Sequence, residues 1–258
     1  MKILKDVHAW CVANGIMYSV GYGTLIGAIR HKGFVPWDDD IDIVMPREHY
    51  IRFCKEYKSD KYQFESPENS DNCYLAFGRV FDNRETTTET VVPWHNGESG
   101  VWIDVFPVDF VSDDLAEFMA SKEKLQKMWR ATAWGRQALM GFDMKRSLSS
   151  NIKLLAKKIV TLNGLTVKRQ TKRFITNIRS ITKTNSNHWS QLACLDGYEW
   201  HRTEDFHGTS LMPFEDMEVM VMNGYDRVLK ECYGNYMKLP PEKDRIGHSD
   251  GLTRFYWK

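Results

Sequence analysis

The sequence predicts an α/β fold in which a mixed-sheet core carries a helical insertion and a mixed C-terminal region. Three observations predict it. Over residues 1–112, apolar runs of strand length alternate with segments of helical periodicity. From Asp113 to Lys183 strand-like runs give way to helical spacing. From Trp189 to Lys258 the chain is mixed and loop-rich, with Pro213, Pro240 and Pro241. The expected units are therefore 1–112, 113–188 and 189–258, the last completing the site of the first within one compact body.

Each element follows from local pattern. Residues 2–14 place Ile3, Leu4, Val7, Trp10 and Cys11 at helical spacing, and Asn14-Gly15 supplies the stop. Ile16 to Val20 reads as a buried strand and Gly21-Tyr22-Gly23-Thr24 as a tight turn. Leu25 to Arg30 begins a helix that Thr24 is able to cap. Gly33 to Pro36 is a loop, and Ile41 to Met45 a strand. A helix follows around Arg47 to Tyr57. Tyr74 to Phe81 and Gly100 to Phe106 are further strands.

Composition excludes several classes. With 258 residues, 42% hydrophobic and 27% charged, the chain can bury an ordinary core. A net charge of +1 gives no global attraction to nucleic acid. Five dispersed cysteines without a C-x-x-C pair point to reduced thiols rather than disulfides or a zinc ribbon. No apolar run approaches membrane-span length, and Met1 to Trp10 lacks a signal-peptide core, so the expectation is a cytoplasmic protein.

The chemistry concentrates between Gly23 and Ile43. Asp40 and Asp42, two apart on a strand, are expected to share a face. Adjacent carboxylates repel unless a cation lies between them, and hard oxygen ligands suit Mg²⁺ or Mn²⁺. Asp104 is the lone charge in Val101 to Phe106, where an uncompensated carboxylate is costly. It is a candidate either to complete the metal site or to act as base toward an acceptor hydroxyl. Gly21 and Gly23 can present backbone N–H groups to phosphate. Strand, Gly-Thr turn, helix, Asp-x-Asp strand and a third acidic strand together form the signature of the nucleotidyltransferase fold.

The run from Gly23 to Met45 also resembles the LicD family signature, approximately G-T-L-L-G-x-x-R-H-x-G-F-I-P-W-D-D-D-I-D. Three later segments are similar to that family: Ile103 to Pro107, Pro213 to Glu215 and Tyr233 to Pro241. The resemblance implies a magnesium-dependent transferase. It would move a phosphocholine-like group from a CDP-alcohol, CDP-choline foremost, to a sugar hydroxyl of a surface-glycan precursor, releasing CMP. The alcohol is not fixed by it. Two rival readings stand beside it: nucleotidyl transfer from an NTP, and an inactive glycan-binding or scaffolding member.

Other candidates follow from position. Thr24, Arg30, Lys32 and Arg79 are candidates for the donor phosphates, and His31 reads as structural. Trp37, Trp94 and Trp102 are candidates for a cage around a quaternary ammonium. Glu215 is a candidate partner for a cationic head group, and His248 and Asp250 for donor or acceptor. Asp38 and Asp39 are left out of the metal set, Asp39 because alternation turns it away from Asp40.

Between Lys145 and Lys183 there are 11 Lys or Arg and no acid, which leaves the rest net negative by 10. Leu148, Ile152, Leu155, Ile159 and Leu162 form one helical stripe with Lys153 and Lys157 opposite. The stripe is expected to dock on the core. The charge suits peripheral contact with an anionic membrane surface carrying a lipid-linked acceptor.

Overall fold

The computed structural model describes residues 1–90, 92–142, 147–161, 165–195, 199–247 and 253–258. The N-terminal part contains α1 (Lys2–Asn14), β1 (Ser19–Val20), α2 (Tyr22–Ile26), β2 (Asp42–Pro46), α3 (Arg47–Glu56), β3 (Gln63–Glu65), β4 (Gly78–Asp82), β5 (Thr86–Thr90) and β6 (Val101–Val111). Three helices follow: α4 (Leu115–Arg136), α5 (Leu148–Val160) and α6 (Leu165–Ile181). The C-terminal part contains β7 (His188–Gln191), β8 (His201–Arg202), β9 (Thr209–Phe214), β10 (Met217–Met222), α7 (Tyr225–Tyr233) and β11 (Thr253–Trp257). The mixed α/β class expected from the sequence is what the chain adopts.

A seven-stranded mixed sheet is built around β6, the longest strand. β2 runs parallel to it along one edge. On the other edge β4 pairs antiparallel with its first half and β7 with its last four residues. Side-chain alternation divides the interior in two. Ile43, Met45, Val80, Ile103 and Val105 pack with α1 and α3. Val44, Phe81, Phe106 and Val108 pack with α4, α6 and α7. Polar residues at 42, 79 and 104 therefore fall on the second face.

Local chemistry explains the boundaries. Gly15, at φ +62°, ends α1 where only glycine is unstrained. Asp114 caps α4 by accepting from the N–H groups of Ala116 and Glu117. A π-helical turn, Gly27–His31, continues α2, so the helix begins two residues before the position at which Thr24 would cap it.

The basic segment differs from expectation. In α5 the side chain that turns inward is Leu154. Leu148, Ile152, Leu155 and Ile159 are 78%, 58%, 49% and 66% exposed, so the stripe faces outward rather than docking. Leu162 lies outside the described residues. The reason is that α6 takes the docking role: its Phe174 and Ile178 enter the second core beside Phe118 and Leu125 of α4. Ion pairs of Lys168 and Lys172 with Asp71, and of Arg179 with Glu68, fasten it. Among the described residues no helix is long and apolar enough to cross a membrane.

Candidate functional site

The site begins at the turn between β1 and α2. Gly21 is extended and donates its N–H to the Asp42 carbonyl at 2.9 Å. Tyr22 follows at φ +50°, a left-handed conformation that costs a residue with a side chain roughly 1–3 kcal/mol. A Cβ on Gly23 would lie 2.2 Å from Asp38 Oδ2, so glycine alone lets the turn and the acidic loop touch. Thr24 is buried, and its hydroxyl accepts the Asp42 N–H at 3.0 Å. It fastens α2 to β2 and does not line the cavity.

The carboxylates arrive from three directions. Asp42 stands opposite Asp104 in the parallel β2–β6 pair. Arg79 stands opposite Asp104 in the antiparallel β4–β6 pair. The Arg79 Nε donates to Asp104 Oδ1 at 2.6 Å and Nη2 to Oδ2 at 3.3 Å. Asp38 and Asp40 come from the preceding loop, where ligand oxygens of Asp38, Asp39 and Asp40 lie within 4.8 Å of one another. Burial pushes the Asp42 carboxyl well above its ordinary value, with further upward pushes from Asp40, Asp104 and Asp38 against one downward pull from Arg79. Burial also raises Asp104, and Arg79 opposes it. Such a cluster is short of positive charge and rich in hard oxygen donors. It fits a divalent cation: Asp38, Asp39 and Asp40 bring their oxygens together, and Asp42 stands on the same cavity wall as Asp38 and Asp40.

The carboxylates Asp38, Asp40 and Asp42 open into a cavity of about 910 Å³. One group of wall residues is Arg30, Trp37, Lys238 and Leu239, held together by the Arg30 guanidinium donating to the carbonyls of Tyr236 and Lys238. A second group is Tyr22, Phe106, Glu199, Cys232 and Tyr233. There the Tyr22 phenol donates to Glu199 at 3.2 Å, and its ring meets Phe106 edge-on at 5.8 Å.

The structure brings Gly23, Arg30, Trp37, Asp40 and Asp42 to the cavity wall, with Asp104 beside Asp42 in the sheet. It places others elsewhere. Lys32 is exposed, and its carbonyl accepts from Glu215 N–H at 2.8 Å. Arg79 is clasped to Asp104, 4.2 Å from the Trp102 ring centroid and 5.1 Å from that of Trp94, so these two indoles flank an arginine and do not line the cavity. Glu215, at φ +55° in the β9–β10 turn, accepts the Phe34 N–H at 2.9 Å and packs on Gly33, where a Cβ would meet it at 2.2 Å. It secures the loop that leads to Trp37. His248 and Asp250 lie outside the described residues.

Sequence reading missed Asp38 and Glu199. Asp38 was left out although it stands at the same two-residue spacing from Asp40 that joins Asp40 to Asp42. Glu199 stands between two aromatics, Tyr198 and Trp200, with no motif around it. The Tyr233 to Pro241 segment, singled out for its resemblance, supplies a long stretch of the wall.

Residues 15–138 match the LicD/FKTN/FKRP family, nucleotidyltransferase domain. The chain is 28% identical to the lipopolysaccharide cholinephosphotransferase LicD of Haemophilus influenzae over 256 residues, 96% of this chain and 92% of that protein. It is 44% identical to an uncharacterized protein of Rickettsia typhi over 52 residues, 20% of this chain and 17% of that one. It is 24% identical to Mannosyltransferase regulator 14 of Saccharomyces cerevisiae over 126 residues, 46% of this chain and 13% of that protein. The matched segment holds the glycine turn, the acidic loop, β2 and β6, so the chain is similar to the LicD family over the part that builds the acidic side of the cavity.

Proposed function

We propose that this chain transfers a phospho-alcohol, phosphocholine foremost, from a CDP-activated donor to a sugar hydroxyl of a surface-glycan precursor. The observation that carries the reading is the meeting of Gly23, Arg30, Asp38, Asp40 and Asp42 around one cavity in a chain similar to the LicD family. The cholinephosphotransferase name of the Haemophilus relative, similar over nearly its whole length, supports phosphocholine as the group moved.

In this reading Gly23 lets the donor diphosphate approach the backbone, and Arg30 and Lys238 hold its charge. Mg²⁺ held by Asp38, Asp40 and Asp42 would neutralise phosphate oxygens and polarise the phosphorus bearing the alcohol. Arg79 fixes Asp104, and Asp104 in turn backs Asp42. The acceptor oxygen bonds to that phosphorus, the bond to the bridging oxygen breaks, and CMP leaves with the electron pair. The hydroxyl proton passes to a carboxylate of the cluster. Positioning and charge stabilisation supply most of the rate in such transfers.

The exposed α5 stripe supports the second half of the reading, a lipid-linked acceptor met at an anionic membrane surface. Its aliphatic residues are flanked by Lys153 and Lys158, the arrangement of a helix that lies in an interface.

Incubation with a panel of CDP-alcohols and Mg²⁺, following CMP, tests the reading. CMP release that depends on acceptor and stops in EDTA is expected. Pyrophosphate release from an NTP instead, or no product from any donor, overturns it.

A further inference from the structure

Glu199 is 9% exposed, yet it lies in the cavity wall rather than in the apolar interior. Its neighbours in that wall include three aromatic rings, Tyr22, Phe106 and Tyr233, beside Gln191, Cys194 and Cys232. Tyr22 is held there by a left-handed backbone, and strain of this kind persists where the surrounding structure enforces it for a purpose. The Tyr22 phenol donates to both carboxylate oxygens, at 3.2 and 3.4 Å. Tyr233 lines the same cavity as Glu199, Asp38 and Asp42.

We propose that the part of the cavity around Glu199, Tyr22, Phe106 and Tyr233 is the subsite for an organic cation, the alkylammonium head group of the donor. The inference deepens the phosphocholine reading above and rests on it for the identity of the donor. Aromatic faces and one buried carboxylate are the chemistry that recognises a quaternary ammonium, which offers no hydrogen-bond donor and is matched by π-faces and diffuse negative charge.

Charge accounting agrees. Burial pushes the Glu199 carboxyl up to about 7, while Lys122 of α4, the Tyr22 phenol and the Gln191 backbone N–H pull it down. Burial outweighs the three, so a further positive charge beside Glu199 would favour its ionised form. Cys232 and Tyr233 face it from α7 as neutral groups, their own ionisation suppressed by burial. A bound cation would complete the balance. The placement is also compatible with the reaction: Tyr22 touches Glu199 and the next residue, Gly23, meets Asp38, so a head group here leaves its phosphate beside the acidic cluster.

The test is a calorimetric titration of the whole chain with phosphocholine and with glycerol 3-phosphate, which share a phosphate and differ in the cation. Wild type is expected to prefer phosphocholine. Glu199→Gln and Tyr22→Leu are each expected to lower that preference at least tenfold, with folding checked by thermal melting. Should Glu199→Gln fail to fold, Tyr22→Leu decides alone. No preference in wild type, or a preference that survives in both variants, overturns the subsite. Turnover of CDP-choline separates the two ideas. Turnover without a Glu199-dependent preference sinks the subsite only, and a Glu199-dependent preference without turnover from any CDP-alcohol sinks the transfer reading only.

Discussion

Arg79 and Asp104 face each other across the antiparallel β4–β6 pair and are joined by two hydrogen bonds, 2.6 and 3.3 Å long. Both side chains are largely buried. The lone charge that stood out in β6 is therefore compensated by an arginine, and a carboxylate with both oxygens held is poorly suited to collect a proton. Removing one partner of a buried pair leaves an uncompensated charge, worth about 3–5 kcal/mol. Arg79→Met is expected to destabilise the chain by that order in denaturant unfolding. Arg79→Met with Asp104→Leu should recover part of the loss. Equal stability of wild type and Arg79→Met would show that the pair contributes nothing.

Asp42 carries the opposite problem, three carboxylates around it and one guanidinium. Asp42→Asn relieves repulsion, so the metal-free variant should melt at or above wild type. Turnover should fall by at least the roughly 10²–10³ seen on removing one electrostatic contact to a transition state. Addition of Mg²⁺ should raise the melting temperature of wild type and not of the variant. An equal Mg²⁺ response in both would place the cation elsewhere.

Gly23 meets Asp38 directly. Gly23→Ala forces the Asp38 carboxylate or the Tyr22–Gly23 backbone to move. Because the turn and the cluster shift relative to one another, a loss of about 10²-fold in kcat/KM is expected, with only a modest change in melting temperature. Kinetics indistinguishable from wild type would mean that the contact is incidental.

Glu199 ties stability to pH. Its folded pKa of about 7 lies above the unfolded value of 4.5, so the native state binds the extra proton between them. Stability is therefore lost as pH rises through that window, by up to about 3 kcal/mol from this group. Glu199→Gln removes the loss. The variant should gain on wild type between pH 5 and 8 in urea unfolding, and the difference should shrink when phosphocholine is present with wild type. A difference independent of pH would mean that Glu199 does not titrate there.

The α5 face is open to a partner along its length. Ile152→Asp with Ile159→Asp should abolish flotation with anionic liposomes. Lys153→Glu with Lys158→Glu should weaken it in a salt-sensitive way. Neither change touches the cavity, so turnover on a soluble acceptor should persist. Flotation that survives both double variants would exclude this face.

The sequence by itself determined the fold class and most of the elements, and it pointed to residues that the fold brings together. Periodicity fixed α1 and the change to helices after Asp113, because those signals are local. Gly23, Asp40, Asp42 and Asp104 were legible because a glycine turn and isolated acids in apolar strands are costly without a purpose. Tertiary structure decided what depends on distant partners. Whether the α5 stripe was buried depended on α6 winning the place beside α4. Whether Arg79 reached phosphate or carboxylate depended on register, which sets it opposite Asp104. Glu215 became a latch on Gly33 because β9 and β10 deliver their turn there, 182 positions along the chain from the glycine it packs on. Glu199 joined the site only because β7 pairs with β6 and brings the chain beyond it to the cavity. Local pattern reports what a residue costs where it sits, and only the packed sheet determines which side chain compensates it.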